Sequence, residues 1–277
     1  MTDPVWNERV GPPFISQFMG PKRLVPPVCS VSELTPFVDI ILVSHSHYDH
    51  LDLTTVEIIG NSKLWIVPLG VKAILNQVGV HNCIELDWWQ DYVCKINNVD
   101  IKITLTPAKH WSARTFYDRN TSLWGSFVIT LDEEKLFFAG DTAYCPVFKL
   151  IGEKYGPFTL SAIPIGAYKP RWFLKDVHCD PTEAIHIHKD LRSKKSVAVH
   201  WGTYHLAEDD SIEPALELAK ARKSLSIDTN DFFTLSHGET ICTNKFENIS
   251  KFDIATGRFP SLFDLFMEKN DYSYAKD

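Results

Sequence analysis

Three histidines and one aspartate lie within six positions of the chain, directly after an apolar stretch. That stretch, residues 38–43, is typical of a buried strand. Imidazole nitrogens and carboxylate oxygens suit zinc and similar divalent cations. A catalytic metal takes about three protein ligands and keeps one position open, so four candidates with others downstream indicate two metals. A polar loop that is merely rich in histidine is the alternative. The four candidates are His45, His47, Asp49 and His50.

Three later strands are predicted to end in a residue of the same type. Each is a short apolar or alternating stretch that leads into His110, Asp141 or His200. The glycine before Asp141 allows a sharp turn and a close approach of the carboxylate to its ligand. In α/β sheets, sites gather beyond the carboxyl ends of strands. The pattern therefore predicts a cluster of five histidines and two aspartates, enough for two metals that share one carboxylate. The three stretches are 101–106, 135–139 and 196–199.

Helices are predicted between these strands, which indicates an α/β sandwich of two sheets with helices outside. The clearest helix start is Asp180, because Pro181 follows it and Glu183 completes a capping box. His186 and His188 on that helix are two positions apart and do not share a face. We therefore expect packing or surface roles for them, with extra metal ligation as the alternative. Other predicted elements are helices at 54–60, 70–78 and 213–225, a strand at 62–67 and a strand pair at 123–130 and 136–139.

The complete ligand pattern, from His45 through His200, resembles the metallo-β-lactamase superfamily of binuclear hydrolases. The resemblance implies a four-layer αββα sandwich. It also implies a ligand set for each of two metals, with Asp141 bridging them. The implied sets are His45, His47 and His110 for one metal, and Asp49, His50 and His200 for the other.

Several further blocks resemble the branch of N-acyl-phosphatidylethanolamine-hydrolysing phospholipases D. This resemblance implies two Zn²⁺ ions, a catalytic Asp141, and a histidine near the metals at His178 that acts on the phosphate or the leaving group. That family often has a polar amide where this chain has Val177. A surface histidine without a catalytic role is the alternative for His178. The matching blocks are 20–23, 67–70, 85–90, 106–112, 118–126, 140–146, 163–168 and 200–203.

The beginning of the chain differs from the resembled family. There, the segment that corresponds to Thr2, Asp3 and Pro4 follows several opening strands, whereas here it follows Met1. We therefore expect the fold to lack the first N-terminal strands. Such a sheet would carry an unpaired edge, which favours unwanted association.

Composition restricts the class of protein. The 277 residues are 44% hydrophobic and are predicted to form one hydrolase domain over 1–277, with disorder from about 269. A net charge of −7 argues against nucleic-acid binding. Six scattered cysteines without a CxxC pair indicate reduced thiols in an intracellular protein. No signal peptide or ~20-residue apolar span is present, so contact with the cytosolic face of membranes would be peripheral. A homodimer is a further expectation.

One segment combines basic and aromatic residues in a way that suits a phospholipid surface. Aromatic rings favour the headgroup zone, and basic side chains pair with lipid phosphates. A loop with buried aromatics and solvated bases is the alternative. We also expect Asp52 and Asp87 to orient the imidazoles from a second layer. The lipid-binding candidates are Arg171, Trp172, Phe173 and Lys175.

The resemblance implies that water attacks N-acyl-phosphatidylethanolamine and releases N-acylethanolamine and phosphatidic acid. Two alternatives stay open at this point. A related metallo-hydrolase could act on a soluble ester such as a phosphorylated sugar lactone, which needs no lipid-binding segment. An inactive truncated isoform could bind metal or a partner without turnover.

Overall fold

Two sheets form the centre of the computed structural model, which describes residues 1–12, 15–96 and 98–241. The first sheet is parallel and has the order β1-β2-β3. The second has the order β10-β9-β8-β7-β6-β5-β4, parallel from β10 to β7 and antiparallel from β7 to β4. The strands are β1 Ile40–Leu42, β2 Leu64–Pro68, β3 Cys83–Leu86, β4 Asp91–Ile96, β5 Val99–Thr106, β6 Ser126–Leu131, β7 Glu134–Phe138, β8 Leu160–Pro164, β9 Ser196–Val199 and β10 Phe232–Phe233.

Helices connect the strands and cover the sheets. Among the described residues, none is long and apolar enough to cross a bilayer. Two short 3₁₀ helices, Thr35–Phe37 and Gly60–Ser62, accompany them. The α-helices are α1 Ser16–Met19, α2 Val31–Leu34, α3 Leu53–Ile59, α4 Val71–Asn76, α5 Val147–Tyr155, α6 Arg171–Leu174, α7 Pro181–Asp190 and α8 Glu213–Leu225.

Three hydrophobic clusters account for the layers. One lies between the sheets and joins Leu42 and Ile66 to Leu105 and Phe127. A second packs α3 and α4 against the outer face of the first sheet, and a third packs α5, α7 and α8 against the outer face of the second. Each sheet therefore buries both faces, and the predicted αββα sandwich is confirmed. The disorder expected from about 269 lies outside the described residues.

The free edge of β1 is partly covered by the first residues of the chain. The backbone N–H of Leu42 donates to the carbonyl of Met1 at 2.9 Å, and the N–H of Asp3 donates to the carbonyl of Leu42 at 2.9 Å. These bonds satisfy backbone groups on the edge that we expected to be unpaired. They also fix the position of Asp3 beside the strand end.

The start of α7 follows its sequence signals. Asp180 accepts a hydrogen bond from the N–H of Glu183 at 2.9 Å, and Glu183 accepts one from the N–H of Asp180 at 3.0 Å. On this helix His188 is buried and shares a hydrogen bond of 2.8 Å with Ser196 Oγ, while His186 is exposed. Burial lowers the pKa of His188 to about 4. Packing and surface roles therefore describe both histidines.

Candidate metal centre

Seven side chains predicted as ligands converge at the carboxyl ends of β1, β5, β7 and β9. This edge collects them because each strand delivers its following loop to the same side of the two packed sheets. The convergent residues are His45, His47, Asp49, His50, His110, Asp141 and His200. Four of the seven are buried, and the other three are half-buried.

Three imidazoles form the first group. His45 Nε2 lies 2.8 Å from His47 Nδ1, which lies 3.2 Å from His110 Nε2. Burial lowers the pKa of His47 to about 4 and that of His110 to about 3, and it lowers the pKa of His45 well below its usual range. All three rings are therefore neutral near pH 7, the form in which imidazole binds a metal.

Two imidazoles and a carboxylate form the second group. His50 Nε2 lies 3.2 Å from His200 Nε2, and each of these nitrogens lies 3.3 Å from Asp49 Oδ2. Burial alone would lower the pKa of His50 and of His200, but the neighbouring carboxylates, Asp141 above all, raise both. A divalent cation would take the place of these protons beside the same carboxylates.

Asp141 lies between the two groups. Its Oδ2 is 3.1 Å from His50 Nε2 and 3.7 Å from His110 Nε2, and its Oδ1 is 3.2 Å from His200 Nε2. Burial favours a higher pKa for this carboxyl, but the charges of His200 and His50 outweigh burial and hold the pKa well below its usual range. An ionised carboxylate thus reaches both groups at once.

The unsatisfied polar atoms of the cluster match a cation-binding role. Asp141 Oδ1 and His178 Nδ1 are buried without a hydrogen-bond partner. Buried polar atoms without partners are costly, and a bound cation is one way to satisfy such a cluster. A donor set of imidazole nitrogens and carboxylate oxygens suits divalent ions such as zinc. The residues present therefore fit two metal ions.

A second layer of hydrogen bonds orients the imidazoles. His110 Nδ1 donates to the carbonyl of Val177 at 2.8 Å, so the side chain at 177 is not what supports that ring. His50 Nδ1 is 2.6 Å from Asp3 Oδ2, and His45 Nδ1 is 2.9 Å from Ser44 Oγ. Sequence analysis missed Asp3 in this role, although the segment 2–4 has a counterpart in the resembled family.

The two carboxylates expected in this layer lie elsewhere, and that prediction was wrong. Asp52 accepts hydrogen bonds from Thr54 N–H, Thr55 Oγ1 and Asn7 Nδ2. It caps α3, as an aspartate at a helix start commonly does. Asp87 is exposed and accepts from the N–H of Trp88.

His178 lies inside the cluster, which contradicts the surface-histidine alternative. Its side chain is 13% exposed, and its Nδ1 is 3.9 Å from Asp141 Oδ2. The ring stacks on His200 with centroids 5.7 Å apart. Burial lowers its pKa, so the ring is neutral near pH 7. A neutral imidazole with an unpaired nitrogen is placed to meet a substrate oxygen.

A cavity of about 280 Å³ adjoins the second group. Asp49, His50 and His200 are among its lining residues, as are Arg23 and Tyr204. The Arg23 guanidinium lies 4.7 Å from the Tyr204 ring centroid and donates to the carbonyl of Val5 at 2.7 Å. The cavity therefore joins the candidate metal ligands to a cation that could meet an anionic substrate.

The basic-aromatic segment forms α6 and the turn after it. Trp172 and Phe173 are 79% and 67% exposed, so the alternative with buried aromatics was wrong. Lys175 is exposed. Arg171 instead donates to Glu183 Oε2 and to the carbonyl of His178, both at 2.8 Å. It therefore ties α6 to the start of α7.

A family model described as a β-lactamase superfamily domain matches residues 1–201. A solved structure from Veillonella parvula, described as a possible metal-dependent hydrolase, superposes with a TM-score of 0.67 at 17% identity, covering 87% of this chain and 90% of that one. An isothiocyanate hydrolase from Delia radicum gut bacteria superposes with a TM-score of 0.66 at 18% identity, covering 87% and 91%. At such low identity these structures establish the fold alone.

Two curated relatives are more similar in sequence. The chain is 41% identical to N-acyl-phosphatidylethanolamine-hydrolyzing phospholipase D 1 of Caenorhabditis elegans, over 86% of this chain and 69% of the relative. It is also 41% identical to the mitochondrial N-acyl-phosphatidylethanolamine-hydrolyzing phospholipase D of Saccharomyces cerevisiae, over 79% of this chain and 47% of the relative. The chain thus spans about half to two thirds of their lengths. It belongs to the β-lactamase superfamily and, within this superfamily of metal-dependent hydrolases, to the family of N-acyl-phosphatidylethanolamine-hydrolysing phospholipases D.

Proposed function

We propose that this chain is a binuclear zinc phosphodiesterase that hydrolyses N-acyl-phosphatidylethanolamine to N-acylethanolamine and phosphatidic acid. The observation that carries the proposal is the position of Asp141, whose carboxylate oxygens lie within 3.7 Å of ligand atoms in both groups. A carboxylate that reaches both groups could bind two closely spaced metals at once. The identity of the substrate is supported by the two relatives at 41% identity.

Each residue of the centre has a distinct role in this proposal. His45, His47 and His110 would hold one ion, Asp49, His50 and His200 the other, and Asp141 both. Two divalent cations bound there would supply an activated water near neutral pH and counter-charge for a phosphate group.

The remaining polar groups would act on the substrate directly. His178 would donate a hydrogen bond from its neutral ring to a phosphate oxygen or to the leaving ethanolamine oxygen, which must gain a proton. Arg23 lines the adjoining cavity and would attract the anionic diester. Val177 contributes through its carbonyl, which holds His110 at 2.8 Å and fixes the ring orientation.

The test combines metal counting with product analysis. Zinc-saturated protein should contain about two zinc ions per chain by elemental analysis. With N-acyl-phosphatidylethanolamine in water labelled with heavy oxygen, mass spectrometry should find the label in phosphatidic acid, because water attacks phosphorus. Chelated protein should lose this activity and regain it when zinc is restored.

Three alternative results would each contradict part of the proposal. A folded preparation that holds zero or one zinc at saturation contradicts the binuclear centre. Two zinc ions with turnover of soluble esters or lactones, but not of the lipid, favour the soluble-ester hydrolase. Two zinc ions without turnover of any phosphodiester favour the metal-binding isoform.

We further propose that α6 meets the membrane that carries the lipid substrate. The adjacent Trp172 and Phe173 are exposed, with ring centroids 5.6 Å apart, and Lys175 lies within the same segment. The carbonyl of Val177, a few residues on, contacts a metal-ligand candidate. A second exposed aromatic pair, Phe116 and Tyr117, follows that histidine by a few positions in the chain. A peripheral position on the cytosolic face and a homodimer remain predictions.

Replacing Trp172 and Phe173 with Ala should weaken vesicle binding roughly tenfold or more, since burying each ring contributes on the order of 1 kcal/mol. Activity on bilayer substrate should fall in parallel, while activity on a short soluble phosphodiester should stay within about twofold. Lys175→Gln should weaken vesicle binding further, by about 1 kcal/mol, and this effect should shrink in high salt. Arg171 is omitted because its guanidinium is already paired with Glu183.

Phe37→Ala is the matched control, because Phe37 is 84% exposed and lies in the 3₁₀ helix Thr35–Phe37 that precedes the first sheet. It should leave the ratio of bilayer to soluble activity unchanged. If the α6 variants lower both activities equally, α6 is a structural part of the domain and the membrane proposal fails.

A further inference from the structure

We infer that Arg171 is a positioning residue that holds His178 in place beside the metal-ligand cluster. The inference rests on the proposed function, in which the His178 ring meets a substrate oxygen. The sequence predicts a lipid-binding role for Arg171, whereas its contacts in the structure give it a role in the chemistry.

The His178 ring has no hydrogen bond of its own to fix it. Its Nδ1 is buried without a partner, and no hydrogen bond within the described part of the chain reaches the ring. Its neighbours are the rings of His200 and His110, with centroids 5.7 Å and 5.1 Å away. The His110 ring, in contrast, is held through its Nδ1. The position of the His178 ring must therefore come from its backbone.

Three hydrogen bonds fix the backbone around His178. Its carbonyl accepts from Arg171 Nη1 at 2.8 Å, and its N–H donates to the carbonyl of Leu174 at 2.9 Å. The following N–H, of Cys179, donates to the carbonyl of Thr142 at 2.7 Å. Only the bond from Arg171 comes from a side chain, so a substitution can remove it without altering the other two.

The rest of the Arg171 guanidinium is held by the start of α7. Its Nη2 donates to Glu183 Oε2 at 2.8 Å, and its Nε lies 3.7 Å from Asp180 Oδ2. Asp180 and Glu183 form the capping box of α7 and are themselves fixed by it. The planar fork of an arginine can reach a carboxylate and a carbonyl at once, whereas a lysine ammonium is a single point charge. Arg171 thereby transfers the fixed position of α7 to the carbonyl of His178.

A simple attraction of the anionic substrate is the competing explanation for a cation at this place. The two carboxylates beside the guanidinium largely offset its charge, so geometry is the larger contribution. Two substitutions separate these explanations. Arg171→Met removes both the charge and the donors at a similar length, while Arg171→Lys keeps the charge and loses the fork.

The experiment uses the full zinc-loaded chain and measures kcat and KM on a short soluble phosphodiester. Both Arg171 variants are made in the unaltered protein and in a His178→Ala background. Arg222→Met is the matched control, because Arg222 also donates to a backbone carbonyl, that of Phe232 at 2.5 Å. That bond ties α8 to β10, which pairs with the start of β9 and not with its carboxyl end. Zinc content, circular dichroism and vesicle binding are measured on the same samples.

Arg171→Met should lower kcat about 10- to 100-fold, the scale of a misplacement of about 1 Å at a reacting group. KM, zinc content and vesicle binding should stay within about twofold, and Arg171→Lys should lose nearly as much kcat. In the His178→Ala background, Arg171→Met should have no further effect on kcat, because two residues that act as a unit are not additive. Arg222→Met should lower the melting temperature and keep kcat.

An equal loss from Arg171→Met in both backgrounds would overturn the inference, since Arg171 would then act independently of His178. Full activity in Arg171→Lys would show that charge alone suffices. Weaker vesicle binding with unchanged kcat would return Arg171 to the lipid surface. If Arg171→Met does not fold, Glu183→Gln decides, because it releases the guanidinium and should lower kcat only where His178 is present.

Failure of the proposed function looks different from failure of this inference. If the chain is not a phosphodiesterase, the unaltered zinc-loaded protein will not turn over the diester at all. If the metals work without His178, His178→Ala will keep its kcat, which overturns the role of Arg171 and leaves the metal centre standing.

Discussion

Asp141→Asn should remove nearly all turnover while the fold is kept. The amide has the shape of the carboxylate but lacks the negative charge that both ligand groups share. Asp141 Oδ2 lies 3.1 Å from His50 Nε2 and 3.7 Å from His110 Nε2, so the lost charge affects both cations at once. Because the site is buried, water cannot replace that charge cheaply. We expect kcat to fall by at least about 10²- to 10³-fold, the scale found when one preorganised electrostatic contact is removed.

The measurement is kcat on a soluble phosphodiester at saturating zinc, which separates chemistry from vesicle binding. Elemental analysis of the same samples should show fewer than two zinc ions per chain. Asp100→Asn is the control, because Asp100 is exposed and pairs with Lys95 at 3.3 Å, away from the cluster. Its kcat should be unchanged. A kcat for Asp141→Asn within about threefold of the unaltered protein would rule out the bridging role.

The seven ligand candidates could be located from the sequence because their signal is local. Each follows a strand that is recognisable from its apolar pattern, and strand ends meet at one edge. The start of α7 was equally predictable from the sequence. Asp180 and Glu183 form a capping box, and Pro181 occupies the first helical position. In both cases the residues that determine the structure lie within a few positions of one another.

Contacts across long separations could not be predicted in this way. Asp3 reaches His50 over 47 positions, and nothing in its neighbourhood indicates which side of β1 it faces. Asp52 illustrates the opposite error, because it lies two residues after His50 yet turns away to cap α3. Proximity in sequence pointed to Asp52 as a partner of the imidazoles. Its carboxylate caps α3 instead.

The ion-pair partner of Arg171 could likewise not be predicted from the neighbouring sequence. In the sequence it stands among aromatics and beside Lys175, which is typical of a lipid-binding cation. Its partner Glu183 lies 12 positions later, on the first turn of α7. Two exposed rings therefore remain as the proposed lipid-facing feature of α6, and Arg171 beside them supports the fold.

Gly140→Ala should have the second large effect, through the same network that contains Asp3. Gly140 has a φ of +61°, and a Cβ at this position would lie 2.5 Å from Ser44 Cβ and 2.8 Å from Ser44 Oγ. Real Cβ atoms do not approach so closely, so either Ser44 or the Gly140–Asp141 backbone must move. Ser44 carries the hydrogen bond to His45, and Asp141 follows directly. We expect a loss of about 10²-fold in kcat, the scale of an approximately 1 Å misplacement at a reacting centre.

Gly60→Ala separates this effect from backbone strain. Gly60 also has a positive φ, +59°, but a Cβ there would meet nothing within 4 Å. Alanine at either glycine is strained by the positive φ, which residues with a side chain rarely adopt, so both variants should lose thermal stability. Only Gly140→Ala should also lose activity per folded molecule and bind zinc more weakly. If the two variants keep equal kcat, the approach of Gly140 to Ser44 does not set the geometry of the centre. If only Gly140→Ala loses activity and zinc affinity, close packing at this glycine holds Asp141 and His45 in their positions.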